Sequence, residues 1–123
     1  MRERHLMLLH YATGLGILVF GAIHVWVVFF TYPLQDTIWE TTLQFDNLPF
    51  AVLPVYRNTL LALSLFGLLV CTTVHAINGL RVIIIELFGP RGITTLLTKV
   101  LIGLGAFLVI YGTRTILIAN MIT

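Results

Sequence analysis

The sequence predicts an all-α membrane protein with three transmembrane helices in a single domain, residues 1–123. Hydrophobic residues make up 59% of the chain and charged residues 10%, whereas soluble domains carry about 25% charged residues. Three apolar runs each reach the length of about 20 residues that crosses the hydrocarbon core of a membrane. We expect the helices at about residues 10–31, 58–88 and 93–122, with their outer faces against membrane lipid.

The first helix is predicted from the apolar run 12–30, in which His24 is the only ionisable residue. Residues 1–9 are expected to form a short basic head that contains Arg2 and Arg4. A basic head before an apolar run is also typical of a signal peptide. This run is long for a signal peptide, however, and no pattern of small residues for cleavage follows it. The sequence therefore favours a membrane-spanning helix.

Residues 31–56 are predicted to form a polar connection at the membrane interface, because they combine acidic and aromatic residues with three prolines. The second helix should end at Gly89-Pro90, since glycine tolerates the turn after a helix and proline cannot continue it. Most basic residues fall on one side of the predicted membrane, which places the N-terminus in the cytoplasm by the positive-inside rule. These residues are Arg2, Arg4, Arg81, Arg91 and Lys99.

A stripe of small and mildly polar residues surrounds His75 on the second helix. Residues three or four apart share a helix face, and an ionisable residue inside a membrane usually faces the bundle interior and serves a bound group. The stripe allows either close packing of another helix or a flat macrocycle whose metal is bound by His75. Its members are Ser64, Leu68, Cys71, Thr72, His75, Asn78 and Gly79.

His24 and His75 are predicted to lie at different depths, about nine residues or roughly 13 Å apart along the helices. Two axial ligands of one haem iron are only about 4 Å apart, because metal–nitrogen bonds are near 2 Å. If both histidines bind haem, two haems are needed, with opposite ligands from a partner subunit or a homodimer. His10 is expected too close to the inner surface to serve, and His5 outside the core. Alternatively, both histidines only hydrogen-bond a neighbouring helix or line a proton path.

Two segments resemble a known family. His75, three residues, Gly79, one residue and Arg81, with Glu86 a little later, is similar to the second-helix motif of the membrane anchor subunits of succinate:quinone oxidoreductase (succinate dehydrogenase or fumarate reductase, complex II). Thr13-Gly14, followed ten residues later by His24, resembles the first helix of the anchors that carry two haems. The chain length and the three-helix layout agree with this family.

The resemblance implies two haem b groups per complex, shared with a second membrane anchor subunit. His75 would be an axial ligand of the inner haem iron, and His24 of the outer one. Asn78 and Gly79 would belong to the inner haem site, and Arg81 would pair with a haem propionate.

The resemblance also implies quinone as a substrate, with His10, Tyr11 and Thr13 as candidate contacts. Single-haem anchors often begin the first helix with Ser-x-x-His-Arg, in which the serine and arginine help to form the quinone pocket. Met7, His10 and Tyr11 occupy these positions here, which departs from the pattern. A quinone site in the sister subunit, or one of a different construction, is the alternative.

The expected function is that of an anchor in the cytoplasmic (inner) membrane of a prokaryote. It would dock a flavoprotein subunit and an iron–sulfur subunit and pass electrons from succinate oxidation, a step of the tricarboxylic acid cycle, to quinone in the respiratory chain. The chain shows no catalytic nucleophile or flavin fingerprint of its own. Its net charge of +2, without a basic cluster or interleaved aromatic residues, does not indicate a nucleic-acid partner.

Two other functions remain open at this stage. One is a haem-bearing membrane subunit of a hydrogenase or formate dehydrogenase, although such subunits usually distribute their histidines over four or more helices. The other is a haem-free membrane protein that assembles or stabilises another complex. In that case His24 and His75 would be packing or proton-relay residues.

Overall fold

The computed structural model describes residues 2–27, 59–89 and 93–121, and these residues form three helices. The helices are α1 (Arg2–Trp26), α2 (Thr59–Phe88) and α3 (Ile93–Met121). All three are long and apolar enough to cross a membrane, which confirms the predicted fold class. The predicted connection 31–56 lies outside the described residues, as do positions 28–31, 58 and 122 of the predicted helices and the loop residues 90–92.

Helix α1 begins at Arg2, eight residues before the predicted boundary near residue 10. Residues 2–9 contain no glycine or proline and consist mainly of arginine, glutamate, leucine and methionine, which have high helix propensity. Glu3 lies in the first turn, where the helix dipole stabilises a negative charge. The predicted boundary followed the change in polarity, whereas the helix follows the backbone propensity. The basic head is thus the first two turns of α1.

Helix α2 ends at Phe88, as the Gly89-Pro90 pair predicted. Gly89 adopts a φ of 79° and donates its backbone N–H to the carbonyl of Ile85 at 2.8 Å. This left-handed conformation is the usual way in which a glycine closes a helix and satisfies one of its last carbonyl groups.

Helix α2 is the central element, since both α1 and α3 pack along it. Glycines set the close approach on each side. A methyl group built on Gly67 would lie 2.8 Å from the ring of Phe20 on α1, and one built on Gly105 of α3 would lie 2.6 Å from Cδ1 of Ile77. Close contacts of this kind, between a small residue and a large one, are the usual basis of helix association in a membrane.

Much of the apolar surface of the described helices faces outward. The buried hydrophobic residues in the described ranges are Val27, Ala62, Leu101 and Ile116. By contrast, Leu18 is 70% exposed and Ile110 is 71% exposed. Such surfaces can contact lipid tails or further transmembrane helices, because an apolar side chain loses no free energy in either apolar environment.

Candidate functional site

A ladder of polar contacts joins the first turns of α1 to the last turns of α2. His75 Nδ1 lies 3.0 Å from the main-chain oxygen of His10, and Asn78 Nδ2 donates to the main-chain oxygen of Leu6 at 3.2 Å. The third contact is an ion pair, in which Arg81 Nη2 lies 3.1 Å from Glu3 Oε1. On α2 these residues follow one another at intervals of three, so they share one face. The ladder fixes the antiparallel register of the two helices.

The hydrogen bonds of His75 define which of its ring nitrogens carries a proton. A carbonyl oxygen only accepts hydrogen bonds, so the contact with the His10 carbonyl requires an N–H at Nδ1 of His75. Thr13 Oγ1 is a second neighbour of Nδ1, at 3.3 Å, and it donates its own proton to the carbonyl of Leu9 at 2.8 Å. In a neutral imidazole the lone pair then resides on Nε2, which neither of these contacts uses.

His10 stacks on His75, with ring centroids 3.8 Å apart and an angle of 16° between the ring planes. The expectation that His10 lies nearer the inner surface than His75 was therefore wrong. Because α1 begins at Arg2, His10 lies in its third turn and is level with His75. His10 Nδ1 is buried and has no hydrogen-bond partner within the described part of the chain.

Three residues of the stripe, Cys71, His75 and Gly79, are in contact with α1. A methyl group on Gly14 would lie 3.2 Å from Cε1 of His75, and one on Gly79 would lie 3.4 Å from Cε1 of His10. A methyl group on Gly16 would lie 2.5 Å from Sγ of Cys71. Of the two occupants that the sequence allowed for this stripe, the structure places a helix there.

His24 lies far from His75 along the helix axis. His75 contacts α1 at His10, Thr13 and Gly14. His24 is ten to fourteen residues further along α1, which is about 15–21 Å at the helical rise. The two histidines thus lie at different depths, as the spacing predicted. His24 is half-buried, and beside it a shallow apolar groove of about 490 Å³ follows α1. The groove is lined by Ile17, Leu18, Gly21, Ala22, Val25 and Trp26.

The other candidate residues are distributed unevenly around this site. Arg81, which the resemblance assigned to a haem propionate, pairs with Glu3 and its side chain is 19% exposed. Among the three candidate quinone contacts, Thr13 is buried and touches His75 together with His10, whereas Tyr11 is 64% exposed. The structure therefore joins His10 and Thr13 to the His75 site and leaves Tyr11 outside it.

Two members of the ladder were not anticipated from the sequence, namely Glu3 and the carbonyl of Leu6. The spacing of the residues contained a signal for these contacts, because positions 3, 6 and 10 of α1 pair with positions 81, 78 and 75 of α2 in antiparallel order. This pairing could be predicted only if residues 2–9 were taken as helical, and the predicted boundary excluded them.

The donor set of the site suits an axial ligand of a haem better than a metal cage. Within residues 2–27, 59–89 and 93–121, no three His, Cys, Asp or Glu side chains lie close enough to hold a metal ion together. An axial histidine needs only one nitrogen with an in-plane lone pair, and its other nitrogen usually donates to a carbonyl or carboxylate. His75 has that second bond, so its chemistry fits the role.

No family model, no curated protein and no solved structure matches this chain. The functional interpretation accordingly depends on the geometry of the His75 site and on the motifs in the sequence.

Proposed function

We propose that the chain is a haem b-binding membrane anchor subunit of a succinate dehydrogenase-type respiratory complex. The observation that carries the proposal is the bond between His75 Nδ1 and the main-chain oxygen of His10. This bond fixes the tautomer that leaves Nε2 as a metal ligand, and it does so inside a pair of apolar helices. An ionisable residue at such a position is a functional residue by default, because burying it in a membrane is costly.

The geometry supports a second chain as the source of the opposite ligand. His10 is level with His75, but its ring is stacked at 3.8 Å, which leaves no room for a macrocycle between the two rings. His24 is displaced by about 15–21 Å along α1. Because two axial nitrogens must lie about 4 Å apart on opposite sides of one iron, neither residue completes the site of His75. The proposal therefore includes a second anchor subunit, and a second haem at the level of His24.

In this account haem supplies a one-electron carrier, and the protein supplies its position and surroundings. His75 presents Nε2, the His10 carbonyl holds the opposite ring nitrogen, and the apolar helices keep water away. Succinate oxidation takes place on the partner flavoprotein and iron–sulfur subunits, which dock at the cytoplasmic end of the helices. Quinone, dissolved in the membrane, receives the electrons. The proposed location is the cytoplasmic membrane of a prokaryote, with the N-terminus inside.

A haem-free assembly or stabilising protein is the second candidate, and one observation favours it. The small-residue stripe of α2 is filled by α1, with Gly16 against Cys71 and Gly14 against His75. In that case the bond between His75 and the His10 carbonyl would serve only to fasten two helices together, as polar side chains do in many membrane bundles.

The test is to purify the tagged chain from its native membrane under mild detergent and to record a reduced-minus-oxidised spectrum. Haem b together with a flavoprotein and an iron–sulfur subunit that oxidise succinate would support the proposal. Haem b together with hydrogenase or formate dehydrogenase subunits would support the other respiratory function. A complex without haem would contradict both and support the assembly protein.

A further inference from the structure

We propose that His10 is the positioning residue of the His75 ligand, acting through its ring as well as through its carbonyl group. This inference deepens the proposed function and rests on it. His10 does not touch the iron in this account. It determines the plane and the tautomer in which His75 presents Nε2.

Two restraints from one residue act on the His75 ring in different directions. The carbonyl oxygen of His10 lies 3.0 Å from Nδ1 and limits tilting of the Nδ1 edge. The imidazole ring of His10 lies flat against that of His75, at 3.8 Å and 16°, and opposes rotation about the Cβ–Cγ bond. Together the two contacts restrict both side-chain torsions of His75, which a hydrogen bond alone would not do.

The surroundings of His10 hold its own ring in place. Gly79 lies beside Cε1 of His10, which a methyl group there would meet at 3.4 Å, an ordinary van der Waals distance. One turn earlier on α1, the carbonyl of Leu6 accepts a hydrogen bond from Asn78, which fixes the register of α1 against α2. Thr13 adds its hydroxyl oxygen at 3.3 Å from Nδ1 of His75. The motif residue Asn78 thus acts on His75 through α1.

The orientation of an axial imidazole and the bond at its distal nitrogen affect the properties of the bound iron. A hydrogen bond at that nitrogen raises the basicity of the ligand, and loss of such a partner typically weakens metal binding by about 10–100-fold. The potential of a haem depends on the same interactions. Substitution of His10 keeps its carbonyl group, so removal of the ring should act through the orientation of His75. The spectrum, potential and retention of the inner haem should change, while the ligand and its hydrogen bond stay in place.

The experiment compares His10→Leu, His10→Phe and the control His5→Leu in the purified complex. His5 is exposed on the same helix, so its variant reproduces the chemical change without the stacking. The readouts are the low-spin ferric EPR signal, the midpoint potential of the inner haem and the rate of haem transfer to apomyoglobin. We expect His10→Leu to shift the first two and to speed transfer by less than about tenfold, because the carbonyl that bonds Nδ1 is retained. His10→Phe, which keeps an aromatic face, should remain close to wild type, as should His5→Leu.

The possible failures are distinguishable. If haem is present and depends on His75, but His10→Leu matches wild type in all three readouts, the positioning role is wrong and the proposed function stands. Absence of haem from the wild-type complex would overturn both. If His10→Leu does not assemble, Thr13→Val provides the test. It removes the 3.3 Å contact with Nδ1 and the 3.0 Å contact with the His10 carbonyl, along with the bond to the Leu9 carbonyl. Thr13→Val should shift the EPR signal of the inner haem, and an unchanged signal would contradict the inference that the contacts at Nδ1 position His75.

Discussion

The two faces of α2 are packed by different means. Toward α1, α2 presents His75, Asn78 and Arg81, each of which makes a directional polar contact. Toward α3, the close contacts pair Ile77 with Gly105 and Leu69 with Gly112. Shape alone can set the distance between α2 and α3, but the polar ladder also fixes register, rotamer and tautomer. The residues proposed to position the haem ligand therefore lie between α1 and α2, whereas the contacts of Gly105 and Gly112 of α3 with α2 are steric.

The largest effect on stability is expected at Gly16, where an added methyl group would make a closer contact with α2 than at Gly14 or Gly21. A methyl group there would lie 2.5 Å from Sγ and 3.4 Å from Cβ of Cys71. Cysteine is short, so the helices rather than the side chain must move. Gly16→Ala should lower the free energy of unfolding in detergent micelles by about 1–3 kcal/mol.

Gly103→Ala is the matched control, because among the described residues only the neighbouring turns of α3 itself lie within 4 Å of the added methyl group. It should be neutral or stabilise the protein by up to about 1 kcal/mol, since alanine favours a helix over glycine. Cys71→Ala should recover part of the loss in Gly16→Ala, because it removes the sulfur that the new methyl group meets. Equal stability of Gly16→Ala and Gly103→Ala would show that the α1–α2 contact is looser than described.

The next largest effect on stability is expected at Gly112 of α3, which contacts the face of α2 that packs against α3. A methyl group on Gly112 would lie 2.6 Å from Cδ2 and 2.8 Å from Cδ1 of Leu69. Leucine can change rotamer, so Gly112→Ala should cost about 1 kcal/mol of unfolding free energy. The haem spectrum and potential should not change, because the α1–α2 ladder is untouched. A change in the spectrum or potential of the inner haem in this variant would show that the α2–α3 contact also affects the haem site.

Asn78→Ala is expected to have a moderate effect, through loss of the bond to the Leu6 carbonyl at 3.2 Å. One hydrogen bond of this kind contributes about 0.5–1.5 kcal/mol. Thr72→Ala, on an exposed position of α2, is the control and should change little. Thermal unfolding of both variants in the same detergent provides the measurement. Identical midpoints would mean that Asn78 does not fasten α1.

The smallest effect is expected at the ion pair, because Glu3 is 76% exposed and Arg81 is 19% exposed. Glu3→Gln should lower the free energy of unfolding by no more than about 1 kcal/mol, since solvent and salt screen exposed pairs. The difference from wild type should shrink as salt is raised. Glu86→Gln, at an exposed position near the end of α2, should show no comparable difference at low salt.

The sequence predicted the helical fold because long apolar runs in a chain this poor in charge have few alternatives. It also predicted the end of α2, since Gly89-Pro90 determines that end through local geometry. The start of α1 could not be read from polarity, because arginine and glutamate are both polar and strong helix formers. Contacts of Glu3 and Leu6 with α2 stabilise the continuation of the helix to Arg2, and a hydropathy pattern carries no information on such contacts.

The site was predicted in part. His75 was identified because an ionisable residue in an apolar run is costly to bury and is usually functional. Its depth relative to His24 followed from counting residues. The stacking of His10 on His75 was missed because one error in a helix boundary moved His10 to the wrong depth. Which neighbour fills a small-residue stripe is a property of the assembled helices, so the sequence left that choice open.

The most direct test of the account is the number of haem b groups per complex in wild type, His75→Ala and His24→Ala, measured by pyridine haemochrome and redox titration. The account predicts two haems in wild type, with each variant losing a different one. One haem, lost only in His75→Ala, would retain the anchor and reduce His24 to a packing residue. Haem content that is unaffected by His75→Ala, or no haem in wild type, would contradict the central claim that His75 is an axial ligand.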